Sequence, residues 1–336
     1  MISIMARSIY AAPLALTVSG MSTTTQPLST PAPSHTLPRP RTLESVHRGG
    51  PLHWVGDGFR VNTLVPSGHL TQERVSPFLL LDFHPRHEYP ALAAGQRGVG
   101  WHPHRGFETV TLAFEGSVAH RDTAGHSGVI GPGDVQWMTA ASGLLHEEYH
   151  EQGFSRRGGA FEMLQLWVNL PRARKMDAPG YQPITAEQIP VVPVEGGFNH
   201  STVRIIAGTY GGTRGPARTF TPITLLDVRL GAGTDLEVPV PSHHNAMVLV
   251  ATGRASVQDE SVVSGELAVY ANDGEHLTLH ADEDTHVIVL AGEPIREPIV
   301  HLGPFVMNTQ REILQAIHDF ESGRFGTVPD EAPARS

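Results

Sequence analysis

The chain has 336 residues, 40% apolar and 17% charged, which is the composition of a folded globular protein at a length that points to two domains. Its 24 basic and 34 acidic residues give a net charge of -10, which argues against broad electrostatic attraction to nucleic acid or an anionic membrane. There is no cysteine, so disulfides, zinc ribbons, iron–sulfur clusters and thiol nucleophiles are excluded, and any metal must be held by nitrogen and oxygen, for which 20 histidines supply the nitrogen.

Residues 1–41 read as an extension. "MARSIYAAPLALTVSGM" carries one arginine and a short apolar stretch broken by Pro13, with no clear cleavage site. "STTTQPLSTPAPSHTLPRP" is rich in Ser, Thr and Pro and predicts disorder. A cytoplasmic protein is expected, with export or organelle targeting through the extension as the alternative; Met21 is a second candidate start. No run reaches the roughly 20 apolar residues of a membrane span.

From Thr42 the sequence becomes short apolar runs punctuated by glycine and proline. "FRVNTLV", "FLLLDF", "ETVTLAF", "VQWMTA" and "EMLQLWVNL" predict strands, with "EGS" and "GPGD" as turns between them. A Pro-rich stretch from Pro179 to Pro193 predicts a linker, after which "STVRIIAGTY", "ITLLDVRL", "AMVLVATG", "SVVSGELAVY", "HLTLH" and "HVIVLAG" predict a second strand-rich half. The expected division is 42–185 and 186–326, with a flexible tail over 327–336. Sustained helical periodicity is confined to "NTQREILQAIHDFESG", where Thr309 and Glu312 form a capping box, Ile313, Leu314, Ile317 and Phe320 share a face, and Gly323 is the stop. The fold class is all-β, sandwich or barrel, with one short C-terminal helix.

The candidate chemistry lies in "GWHPHRGFETV". On a strand, residues two apart project from one face, so His102 and His104 point together and can converge on one ion. Glu108 has the same parity and is a candidate to join or support them. Downstream, "GLLHEEY" places His146 and Glu148 two apart, and the intervening "GPGD" turn lets the chain fold back. Three imidazoles and one carboxylate suit iron, manganese, nickel, copper or zinc. The other histidines carry weaker patterns. His84, His87 and Glu88 in "FHPRHEY" sit among turn residues, and His120 and His126 flank "RDTAG" and are expected to shape a turn. His243 and His244 are adjacent and would face opposite ways. His280, Asp282, Asp284 and His286 in "HADEDTH" read as a solvated turn.

"HPHRGFETVT", "GPGDVQWMTAASGLLHEEYH", "LQLWVNLP" and "GPFVMNT" resemble the pirin family of the cupin superfamily, over about Thr42 to Phe325. The resemblance implies two jelly-roll-type antiparallel cupin barrels facing each other, the first (42–185) holding a metal and the second (186–326) metal-free. It implies His102, His104, His146 and Glu148 as ligands and Fe2+ as the metal, with Mn, Ni, Cu or Zn as alternatives. General cupins would offer Glu108 as the carboxylate ligand; the pirin pattern uses the later Glu, so Glu108 is expected beside the ligands. Trp101, where relatives often carry a smaller residue or an acid, is expected at the pocket mouth. The activity implied is that of a quercetin 2,3-dioxygenase: a flavonol-like aromatic substrate, its central ring opened with dioxygen and carbon monoxide released. Glu148 would double as the base for the substrate hydroxyl. The alternative is an iron-dependent regulator without enzymatic activity, docking on a transcription factor or metabolic enzyme through protein contacts, with no direct nucleic-acid binding. A monomer is expected.

Overall fold

The computed structural model describes residues 39–66, 68 and 70–328, so almost all of the expected extension and tail lies outside the described residues. The first half builds β2 (His53–Val55), β3 (Phe59–Val65), β4 (Phe78–Tyr89), β5 (Gly98–His104), β6 (Phe107–Glu115), β7 (Val118–Asp122), β8 (Ser127–Ile130), β9 (Val135–Thr139), β10 (Leu144–His150), β11 (Gly159–Asn169) and β12 (Gly180–Ile184), preceded by β1 (Leu43–Arg48). A seven-stranded sheet in the order β12-β9-β6-β11-β4-β3-β2 faces a four-stranded sheet in the order β5-β10-β7-β8. The second half repeats the plan. Glu266–Tyr270, Asn245–Thr252, Thr285–Gly292, Ile223–Leu230, Thr202–Ala207 and Val191–Pro193 form most of a seven-stranded sheet, and a four-stranded sheet covers it. The fold is all-β, with two cupin domains and a C-terminal helix at Gln310–Glu321.

The two large sheets pack back to back. Val110, Leu112 and Phe114 of β6, Val135 and Trp137 of β9, and Leu164, Leu166 and Val168 of β11 meet Leu225, Met247, Leu249, Leu267, Val269, Ile288 and Leu290 of the second barrel. Each such side chain taken fully out of water contributes about 1.5–3 kcal/mol. Strand alternation then dictates what faces the lumen of the first barrel: Phe107, Thr109 and Thr111 on β6, Gln136 on β9, and Met163, Gln165 and Trp167 on β11. The second barrel fills its own interior with aliphatic residues such as Val203, Ile205, Leu226, Val228 and Val287.

Four sequence expectations change. Strand β1, assigned by chain order to the first half, pairs with Glu266–Tyr270 and forms the edge of the second barrel's sheet. The Pro-rich stretch is built into both barrels: β12 pairs with β9, and Val191–Pro193 pairs with Thr202–Ala207. "FHPRHEY" is no turn, because β4 runs on through it to Tyr89. There His84 is buried, its Nε2 2.9 Å from Tyr89 Oη, and burial pushes its pKa down to about 4. On the C-terminal helix, Ile313, Ala316 and Asp319 are buried while Leu314 is 66% exposed and Phe320 is exposed too. The polar Asp319 takes the place expected of Phe320 because Arg105 Nη1 donates to its Oδ2 at 2.8 Å.

Candidate metal centre

The hydrogen-bonded pair β5–β10 creates the centre. His102 stands directly opposite His146 in register, and a bulge between His146 and Glu148 shifts the pairing so that Glu148 meets Val99. A bulge of this kind re-aims side chains locally. The imidazoles of His102 and His146 lie 4.2 Å apart by centroid, and those of His104 and His146 4.8 Å. Potential ligand atoms of His102, His104 and His146 all lie within 4.8 Å of one another, and those of His146, Glu148 and His120 meet the same limit.

The donor set fits a metal. His102 Nδ1 lies 2.8 Å from Gly100 O; donating that hydrogen bond leaves Nε2 with a free lone pair. His104 Nδ1 and His146 Nε2 are buried without a hydrogen-bond partner, an arrangement that costs stability unless something else satisfies them. Burial, followed by the neighbouring imidazoles, holds His104 and His146 well below the usual histidine range, so both present neutral rings. Glu148 is 8% exposed and, among the described residues, no Lys or Arg pairs with it; a cation in the triad would supply the missing charge. Gln136 Nε2 donates to Glu148 Oε1, and Thr111 Oγ1 lies 3.3 Å from the same oxygen.

His120 is the residue that sequence reasoning missed. It does not merely shape the turn after β7. It is 3% exposed, its Nδ1 is 3.4 Å from His146 Nδ1, and its Nε2 is 3.2 Å from Asp122 Oδ2. Asp122 is fixed in turn by the backbone N–H groups of Ala124 and His126. A chain from His146 through His120 to a buried carboxylate orients the His146 ring, the usual service of the outer neighbours of a residue that could hold a metal. The readable signal was the alternation His120-x-Asp122 on a strand, the same spacing that singled out His102 and His104.

Two expected neighbours of the centre face elsewhere. Glu108 does not lie beside the ligands. Arg105 and Gly106 interrupt the strand between His104 and Phe107, and Gly106 has φ +90°, so parity does not carry across. Glu108 therefore points to the inter-barrel side, where Thr139 Oγ1 donates to its Oε1 at 2.7 Å and burial pushes its pKa up to about 7. Trp101 is not at the mouth of the metal pocket either. Being of odd parity on β5, it lies on the outer face, with the Arg121 guanidinium 5.3 Å from its ring centroid, in a groove shared with Val129 and Tyr149.

The same "HRG" turn bolts the centre to the rest of the molecule. Lys175 is buried, and its Nζ donates to Gly106 O, Asn169 Oδ1 and Val306 O at 2.7, 2.6 and 2.9 Å. Burial pushes its pKa down to about 7. A Cβ on Gly106 would sit 2.0 Å from Val306 O. "HPHRG" and "GPFVMNT", far apart in sequence, are thus the two sides of one contact.

A cavity of about 340 Å³ opens onto the imidazoles. His102, His104, Glu148 and Val99 line it from one sheet, and Val61, Leu80, Asp82, Met163, Gln165 and Trp167 from the other. Size and lining are those of a small-molecule site: mostly apolar, with a few placed polar groups.

Residues 58–168 match the family model for pirin, and residues 225–326 match the pirin C-terminal cupin domain. The chain belongs to the pirin family. A Pseudomonas aeruginosa relative, provisionally named a quercetin 2,3-dioxygenase, is 50% identical over 273 residues, covering 81% of this chain and 94% of its own. Mouse pirin is 38% identical over 277 residues, covering 81% and 89%. The crystal structure of quercetin 2,3-dioxygenase from Acinetobacter baumannii superposes with a TM-score of 0.82 at 44% identity, covering 87% of this chain and all of that one. Among the described residues of this pirin, no helix is long and apolar enough to cross a membrane.

Proposed function

We propose that this pirin is an iron-dependent dioxygenase of the quercetin 2,3-dioxygenase type, with His102, His104, His146 and Glu148 as the ligands. The observation that carries the reading is a pair of triads joined at His146, His102–His104–His146 and His120–His146–Glu148, with His102, His104 and Glu148 lining a largely apolar cavity of about 340 Å³. The donor set of nitrogen and carboxylate oxygen suits Fe2+, and Mn, Ni, Cu or Zn are compatible with it. The likeness to the Acinetobacter dioxygenase supports a flavonol-like substrate.

When bound, the metal supplies the Lewis acidity and redox chemistry that dioxygen insertion requires. The chain's own residues do the rest. The apolar wall of Val61, Leu80, Met163 and Trp167 receives a flat aromatic molecule and excludes water from it. Glu148 faces the cavity with Oε1 engaged by Gln136, which leaves Oε2 to take the proton of the substrate hydroxyl. The imidazoles of His104 and His146, kept neutral by burial, do not compete for that proton. Ring opening adds both atoms of dioxygen to the flavonol and expels one ring carbon as carbon monoxide.

The test is aerobic incubation of iron-loaded protein with a flavonol panel, following loss of the flavonol absorption and release of carbon monoxide. Stoichiometric carbon monoxide is the expected result. Absence of turnover across the panel by protein shown to contain one iron per chain overturns the reading.

A further inference from the structure

Most of the lumen of the first barrel is apolar, yet one row across its inner face is polar throughout. Thr63, Asp82, Gln165, Thr111 and Gln136 stand directly opposite one another on β3, β4, β11, β6 and β9. Residues so aligned share one face, with neighbouring side chains about 5 Å apart.

The β9 end of the row serves the metal centre, because Gln136 Nε2 donates to Glu148 Oε1 and also lies 3.1 Å from Thr111 Oγ1. Thr111 has a single proton, and of the two acceptors within reach Gln165 Oε1 at 2.7 Å takes it over Glu148 Oε1 at 3.3 Å. Gln165 must therefore turn its carbonyl toward Thr111, and its amide Nε2 finds no acceptor among the described residues. At the β4 end, Thr63 Oγ1 donates to Asp82 Oδ1 at 2.5 Å, while Asp82 Oδ2 accepts no hydrogen bond from the described residues. Neither free atom is sealed away, and both residues line the cavity together with His102, His104 and Glu148.

An unused acceptor and an unused donor thus stand side by side in an otherwise apolar wall. Asp82 lies two strands from Thr111, the row member near Glu148, which at the usual strand spacing is about 10 Å. The group that is both donor and acceptor, and so satisfies both atoms at once, is a hydroxyl. An apolar pocket discriminates weakly against a missing hydroxyl, whereas a pair of placed polar groups discriminates strongly, since losing the hydroxyl leaves both unpaired.

We propose that Asp82 and Gln165 form a hydroxyl-reading subsite, which makes this cavity selective for aromatic substrates carrying a hydroxyl remote from the oxygen at the metal. The inference rests on the flavonol reading above and names a selectivity that the metal centre does not set.

The experiment uses iron-loaded full-length protein under anaerobic conditions and two probes. Quercetin carries hydroxyls on both outer rings; 3-hydroxyflavone keeps only the central one. Binding is followed by quenching of protein fluorescence for wild type, Asp82→Asn, Asp82→Leu and Gln165→Leu. Wild type is expected to prefer quercetin by at least tenfold. That preference is expected to fall by about tenfold in Asp82→Leu and Gln165→Leu and by less in Asp82→Asn, with affinity for 3-hydroxyflavone unchanged in all three. Retained 3-hydroxyflavone affinity also shows that the variants keep a folded cavity. An equal preference in wild type and variants, or an equal loss for both probes, overturns the subsite. Aerobic turnover by the wild type reports separately on the dioxygenase reading. Preferential, Asp82-dependent binding without turnover removes that reading and leaves the subsite; turnover with an Asp82-independent preference does the reverse. Binding of neither probe removes both.

Discussion

Glu108 gives a quantitative handle on where the carboxylates of this barrel point. Its pKa is pushed up to about 7 from an ordinary 4.5, chiefly by burial and against the opposing hydrogen bond from Thr139. A difference of about 2.5 pH units corresponds to about 3 kcal/mol at 1.36 kcal/mol per unit. A carboxyl that resists ionising in the folded state imposes no penalty below about pH 4.5, where both states are protonated. The penalty grows as pH rises from there, since the unfolded chain releases its proton and the folded one does not, and it is complete above about pH 7. Glu108→Gln keeps the shape and the acceptor for Thr139 but cannot ionise. Relative to wild type, the variant is expected to gain stability with pH, from about 1 kcal/mol at pH 5 to the order of 3 kcal/mol at pH 8. Urea unfolding of metal-free wild type and variant at the two pH values measures it, and metal content measured in parallel is expected to be unchanged. A stability difference that is the same at both pH values would refute the buried, inter-barrel placement; loss of the metal would return Glu108 to the ligand set.

His146→Ala is expected to abolish stoichiometric iron binding with the circular dichroism of the fold retained, because His146 belongs to both ligand groupings. Glu148→Ala should weaken binding less, as water can replace a carboxylate oxygen; elemental analysis distinguishes the two. His120→Ala or Asp122→Asn removes the support behind His146 and is expected to lower metal affinity by about 10- to 100-fold, measured by chelator competition. Wild-type affinity in both would show that His120 is only a turn residue. Gly106→Ala places a Cβ 2.0 Å from Val306 O at a φ of +90°, and should lower both thermal stability and metal content.

Sequence alone conveyed the strands and the two halves well, because each half-buried strand writes its alternation locally. "FRVNTLV" and "ITLLDVRL" coincide with strands Phe59–Val65 and Ile223–Leu230. Residues whose partners lie across the fold were less readable. Glu108 departs from its expected place because the break at Gly106 interrupts the alternation, and Trp101 because its parity on β5 puts it on the outer face. His120 was passed over because its partners, His146 and Tyr181, come from distant strands. On the helix, Leu314 fits an apolar face by hydropathy, yet the buried face is Ile313, Ala316 and Asp319, the last paired with Arg105 from across the fold. The polar row from Thr63 to Gln136 lies beyond local reading altogether, since it is a property of register across five strands.

The edge strand β1 has a consequence for how the molecule is made. Leu43–Arg48 leaves the ribosome before any other described strand, yet its pairing partner, Glu266–Tyr270, is synthesised more than 200 residues later. At about 5–20 residues per second of synthesis, that separation is a wait of roughly 10–40 seconds. The first barrel can assemble in that interval without β1, because none of its sheet uses it. The strand made first is therefore installed among the last, and it closes over a flank that would otherwise be open to pairing with another chain. A cut of the chain at the joint between the halves would put the strand and its slot on different polypeptides, although each half carries its own barrel.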